Sequence, residues 1–102
     1  MYAAKFYRFY QNNSGGEREF SDTKGITKNV IIEALSPELA NHEAEKIGIY
    51  FDGCLKGKDC DCCGDRWEIA DETDVVDLDL FTDDCFVHYI DGSFKRQPEN
   101  TI

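Results

Sequence analysis

Aromatic and charged residues alternate from Ala3 to Gln11 (AAKFYRFYQ), with Phe6, Arg8 and Tyr10 on one side and Lys5, Tyr7 and Phe9 on the other. That period of two predicts a strand. NNSGG, residues 12–16, interrupts it as a loop, because Asn and Gly accept positive φ at low cost. KNVIIEA, 28–34, predicts a second strand, antiparallel to the first across a long connection. At Ser36 the pattern turns helical. Ser36 suits the N-cap, Pro37 the first helical position and Glu38 the positive end of the helix dipole. Leu39, Ala40, Ala44 and Ile47 form an apolar stripe that Gly48 ends, so a helix is expected over residues 37 to 47. IYFDG, 49–53, brings two aromatics back to the core, and KGKDCDCCGD, 56–65, is a turn-rich excursion. RWEIA, 66–70, reads as a further strand, and CFVHYI, 85–90, with Asp91-Gly92 and SFKR, as a hairpin with a two-residue turn. The expected fold class is α+β, a mainly antiparallel sheet with one amphipathic helix packed on one face.

Composition narrows the class. A chain of 102 residues is expected to form a single domain over 1–102, since two independent cores would each be too small. Its 41% hydrophobic and 13% aromatic content are those of a folded protein. No apolar run approaches the roughly 20 residues of a membrane span. The start, MYAAKFYRFYQ, lacks the apolar block of a signal peptide. A cytoplasmic location is therefore expected, where an odd count of five cysteines points to thiols or ligands, not disulfides.

Charge changes the picture more. Residues 59–84 hold eleven carboxylates and one base, Arg66, so the whole net charge of −10 lies in that segment. Such a segment repels a nucleic-acid backbone and attracts a basic protein surface. The expected partner-binding residues are Asp71, Asp74, Asp77, Asp79, Asp83 and Asp84, the competing expectation being a solvated face kept for solubility.

The cysteines carry the candidate chemistry. Cys60 and Cys63 have C-x2-C spacing followed by Gly64, and Cys85 and His88 could complete a four-ligand zinc site. Positions three apart on a strand face opposite ways, however, so Cys85 and His88 cannot grip one ion without a bulge. No cofactor is expected on that ground, zinc being the one metal the pattern could hold. Asp59, Asp61 and Asp65 are expected to raise thiol pKa values, against a redox cysteine or one activated by His88 or His42. Asp74 to Asp84 lack the glycine and terminal Glu of an EF-hand loop. The remaining reading of residues 60–64 is a tight turn whose cysteines are small buried apolar groups, with Arg66 paired internally to Asp65, Glu68 or Asp71. A second use of the region is an anionic, nucleotide-type ligand held by Arg66, Trp67, Tyr7 and the Asn12-Asn13 loop, whose amides would cradle a phosphate. No catalytic frame is present, so an enzyme is not expected.

KFYRFYQNNSGG, VIIEALSPELANHEAEKIGIYFDG, DCDCCGDRW and HYIDGSFK together resemble a family of short, uncharacterised bacteriophage proteins, over Lys5 to Lys95. Members of that family read C-P-C-C-G where this chain places Asp61 in the proline position. The resemblance implies a phage-encoded protein working in the cytoplasm of an infected bacterium, and it supplies no activity. With the charge pattern, the expected function is an acidic interaction protein that inhibits or diverts a host or anti-phage defence factor. The alternatives are sequestration of a nucleotide-type ligand and a small structural zinc-binding protein.

Overall fold

The computed structural model describes residues 3–97. β1 (Lys5–Tyr10), β2 (Asn29–Ala34), β3 (Val75–Val76), β4 (Cys85–His88) and β5 (Phe94–Gln97) form one sheet in the order β3-β1-β2-β4-β5. One α-helix among the described residues, α1 (Pro37–Lys46), follows β2. The fold is α+β, and its sheet is mixed. The β1–β2, β1–β3 and β4–β5 pairings are antiparallel, whereas β2–β4 is parallel. The long connection from β2 to β4, through α1 and residues 47–84, is what allows the parallel pair, since parallel strands need a crossover.

Alternation in β1 separates two cores. Tyr7 and Phe9 are buried, opposite Ile32 and Val30 of β2. They pack with Ala40 and Ala44 of α1 and with Ile49, Phe51, Trp67 and Ala70. On the other face Ile31, Cys85 and Val87 form a smaller cluster, covered by Phe6, Val76, Leu78, Phe81 and Tyr89. β2 thus sits between two apolar layers, which accounts for its Val-Ile-Ile run. Each fully buried large apolar side chain contributes roughly 1.5–3 kcal/mol.

The cap of α1 follows its sequence: Ser36 Oγ accepts from the Leu39 N–H at 3.2 Å, with Pro37 in the first turn. Its buried stripe is narrower than the sequence pattern implies, because Leu39 is about half exposed and the helix rests on Ala40 and Ala44.

Two local expectations are corrected. Residues 66–70 form no strand, and the chain bends at Arg66. Trp67 and Ala70 are buried while Ile69 is exposed, so the period of two fails. The Arg66 carbonyl accepts from the Asn12 N–H, and Ala70 exchanges two hydrogen bonds with the Asn41 side chain, in place of a ladder. The β4–β5 turn is also longer than two residues. Tyr89 N–H donates to Ser93 O, Gly92 N–H donates to Tyr89 O, and Gly92 takes φ +93°, a conformation glycine adopts without steric cost.

Candidate functional site

Arg66 organises the loop end of the molecule. It is 8% exposed and spends its donors internally. Its Nε donates to the Tyr50 hydroxyl at 3.2 Å, and Nη1 to Gln11 Oε1 at 3.0 Å and Glu17 O at 2.7 Å. Nη2 donates to Ser14 O at 3.0 Å. The counter-charge is Asp59, whose side chain is wholly buried and lies 3.8 Å from Arg66 Nε. Tyr50 bridges the pair by donating to Asp59 Oδ1 at 2.8 Å, while Asp59 Oδ2 accepts the Arg66 N–H at 2.8 Å. Burial first, then the hydrogen bond to Asp59, raises the Tyr50 pKa. Gly53 makes this packing possible, because a Cβ there would collide with the Asp59 carboxylate.

Arg66 is thus paired internally, to Asp59 and not to Asp65, Glu68 or Asp71. The residues of the ligand-binding expectation are built into the fold. Tyr7 is 1% and Trp67 3% exposed. Asn12 donates from Nδ2 to Cys63 O at 2.8 Å. The loop after it turns the Ser14 and Glu17 carbonyls toward Arg66, so it is a cradle for a guanidinium and not for a phosphate. Asn13 is exposed. Gln11, Ser14, Tyr50 and Asp59 were not singled out by sequence; the only signal was one arginine in an acidic run.

The zinc quartet is not assembled. Cys85 is buried with Ile31 and Val87 on one face of β4, while His88 Nε2 meets Gly25 O at 2.7 Å and its ring stacks on Phe94. Burial pushes the Cys85 thiol up to about 11, with Asp84 and Asp83 adding to the effect. Cys60, Cys62 and Cys63 do come together, with sulfurs all within 4.8 Å of one another. They are not buried apolar groups: Cys62 and Cys63 are exposed and Cys60 is half-buried. The Cys60 thiol is lowered from its ordinary 9.0, first by the Cys62 thiol and then by the backbone amides of Cys62 and Cys63. Its neighbours push Cys62 up to about 11, Cys60 first and then Cys63. At Cys60 the hydrogen bonds of its own loop outweigh the acidic surroundings and lower the thiol, contrary to the expectation from Asp59, Asp61 and Asp65. Those acids act on Cys54, raised to about 11 by burial and then by Asp65.

The acidic residues separate into three surfaces. Asp71 and Asp74 line an open groove of about 490 Å³ together with Asp65, Glu68 and Ile69. Asp77 and Asp79 flank a second along the β3 edge, and Asp83 and Asp84 a third beside Arg96. β3 and β4 are three strand spacings apart, about 14 Å. Several of these acids also shape the chain. Asp71 and Asp74 close a capping box over Glu72–Asp74, and Asp77 accepts from the Asp79 N–H. Asp84 pairs with Arg96, which holds its carboxyl below the usual range.

Residues 4–101 match the family described as Domain of unknown function (DUF7296). The chain belongs to that family. No curated protein and no solved structure matches it. No helix among the described residues is long and apolar enough to cross a membrane.

Proposed function

We propose that this DUF7296 chain is a binding protein that docks its acidic segment on a basic protein surface. One observation carries the reading. Arg66, the only base in residues 59–84, is buried, so of the eight exposed carboxylates of the segment only Asp84 has an ion-pair partner among the described residues, Arg96, and the other seven face solvent unpaired. A surface of one sign steers a partner of the other and raises its association rate. Ile69 and Leu80, 64% and 77% exposed, are apolar side chains within the same segment that can serve as anchors once the partner has docked. The resemblance to short phage proteins makes a host or anti-phage defence factor the partner to look for, with inhibition or diversion as the outcome. Sequestration of a nucleotide-type ligand has less support, because Arg66, Trp67 and Tyr7 are committed to the interior.

The test uses carboxylates with no hydrogen-bonding duty among the described residues, so that charge is removed without loosening the fold. Glu68→Gln, Glu72→Gln, Asp79→Asn and Asp83→Asn are combined, and binding to a partner captured from infected cells is followed over a salt series. Exposed pairs contribute about 0–1 kcal/mol each, so single changes are small and the combination decides. The expected result is an association rate lower by roughly tenfold or more and a flatter salt dependence. Unchanged rates at every salt concentration would make the acidic face a solubility device.

A further inference from the structure

Cys60, Cys62 and Cys63 serve no role in that docking, and their arrangement is unlike that of the other two cysteines. Cys85 is sealed in the second core, and Cys54 is not among the three clustered sulfurs: its thiol donates to Cys60 O at 3.5 Å and its N–H to the Asp65 carboxylate at 2.9 Å. We propose that Cys60, Cys62 and Cys63 form a three-thiolate site for a thiophilic d10 cation of the zinc class, with the fourth coordination position open to solvent.

Spacing is the first support. A zinc–sulfur bond of about 2.3 Å sets the thiolates of a tetrahedral ion about 3.8 Å apart. Cys62 and Cys63 have their sulfurs 3.9 Å apart. Cys60 and Cys62, at 2.6 Å, have to open by about 1.2 Å to reach that separation, a small rotation for partly exposed side chains. The backbone is the second support, because it is fixed before any ion arrives. Cys63 and Gly64 donate their N–H groups to Cys60 O at 3.2 and 3.1 Å. Cys60 N–H donates to Ser14 Oγ at 3.0 Å, and Asn12 Nδ2 holds Cys63 O. Gly64 takes φ +84°, which lets the chain leave the turn without strain. Both anchors, Asn12 and Ser14, come from the loop that Arg66 gathers.

The donor set decides the class of ion. Thiolates select zinc and related soft or borderline cations over magnesium and calcium, which require oxygen donors. Three protein ligands with one open position describe an exchangeable site and not a closed structural one. Binding of a divalent ion by three thiols releases three protons and leaves the three-thiolate site at a net charge of −1, and the acidic surroundings act only by attracting the incoming cation.

Cobalt(II) is the probe, added to the reduced full chain under anaerobic conditions. The expected result is one ion per chain with a thiolate-to-cobalt charge-transfer band, displaced by zinc. That band should disappear in Cys62→Ser/Cys63→Ser and persist in Cys54→Ser and Cys85→Ser. Emission from Trp67 checks that each variant is folded. Absence of the band, its persistence in the double variant, or cobalt bound with no thiolate band would each overturn the proposal. The readout does not depend on any partner, so its failure is distinct from failure of the docking reading.

Discussion

Replacing Arg66 by Met keeps most of the side-chain volume and removes all five donors, which isolates the electrostatic part of the network. The Tyr50 hydroxyl, Gln11 Oε1, Glu17 O and Ser14 O each lose a hydrogen bond. Net contributions of about 1 kcal/mol apiece put that loss near 4 kcal/mol. The larger consequence concerns Asp59, whose side chain is wholly buried and would retain only the Tyr50 hydroxyl and the residue-66 N–H as donors. Breaking a buried pair from one side costs about 3–5 kcal/mol because a charge is left uncompensated. These effects overlap, since both concern the same lost guanidinium, so about 4 kcal/mol is expected in total. Against a typical stability of about 5–15 kcal/mol, that is a large fraction. The one tryptophan, Trp67, is 3% exposed and reports unfolding directly through its emission. With a urea slope of about 2 kcal/mol/M, the midpoint should fall by about 2 M. Arg66→Lys keeps the charge but not the planar fork, and should fall between wild type and Met. Arg66→Met combined with Asp59→Asn should cost less than the sum of the single changes, by about 1–3 kcal/mol. A cost below about 1 kcal/mol for Arg66→Met, or strict additivity with Asp59→Asn, would refute the account of a buried, coupled pair.

Gly53→Ala should destabilise the same node from its other side, because the added methyl meets the Asp59 carboxylate and the Tyr50 ring. The expected loss is about 1–3 kcal/mol by urea unfolding, and a neutral substitution would show that the loop shifts freely. His88 gives a pH signature. Burial lowers its pKa below 6.5, with the Gly25 carbonyl opposing more weakly. The unfolded chain therefore binds more protons below about pH 6.5, and stability falls as the pH drops through that value toward the folded pKa. Urea midpoints at pH 7.5 and 5.5 should differ more in wild type than in His88→Gln; equal differences would remove His88 from the titration.

The elements that were legible in the sequence are those whose cause is local. Ser36-Pro37 carries its own cap, and Tyr7 and Phe9 alternate with Phe6 and Arg8 because a pleated strand has a period of two. Residues 66–70 misled for a reason equally physical. Aromatic and aliphatic residues there have strand-like composition, but backbone groups of Arg66 and Ala70 are satisfied by the Asn12 amide and the Asn41 side chain, and period alone does not reveal which partner a backbone takes. The cysteines were legible in part. Spacing singles out Cys60 and Cys63 and pairs them with Cys85 and His88, whereas the third sulfur beside them is that of Cys62. Residue proximity in three dimensions reverses that preference. Asp59 was hidden because a carboxylate in an acidic run looks solvated until its one cationic partner is found.

That buried pair bears on both proposed activities at once. A guanidinium surrounded by carbonyls fixes the loop of Gln11–Glu17 against residues 59–66, and the same loop supplies Ser14 to Cys60 and Asn12 to Cys63. Removing Arg66 from the surface also deprives the acidic segment of its only base. The two effects have one physical origin. An arginine placed among carboxylates would ordinarily form exposed pairs of little energetic value, weakening the field without stiffening the chain. Buried against a single aspartate, it leaves the exposed carboxylates of the segment without a base from within it and gathers the loop that ties down the thiol turn through Ser14 and Asn12. A variant that loosens the node without unfolding the chain, such as Arg66→Lys, should therefore weaken cobalt binding although no cysteine has changed. In the same variant, the salt dependence of partner binding should remain close to wild type, because the exposed carboxylates are untouched.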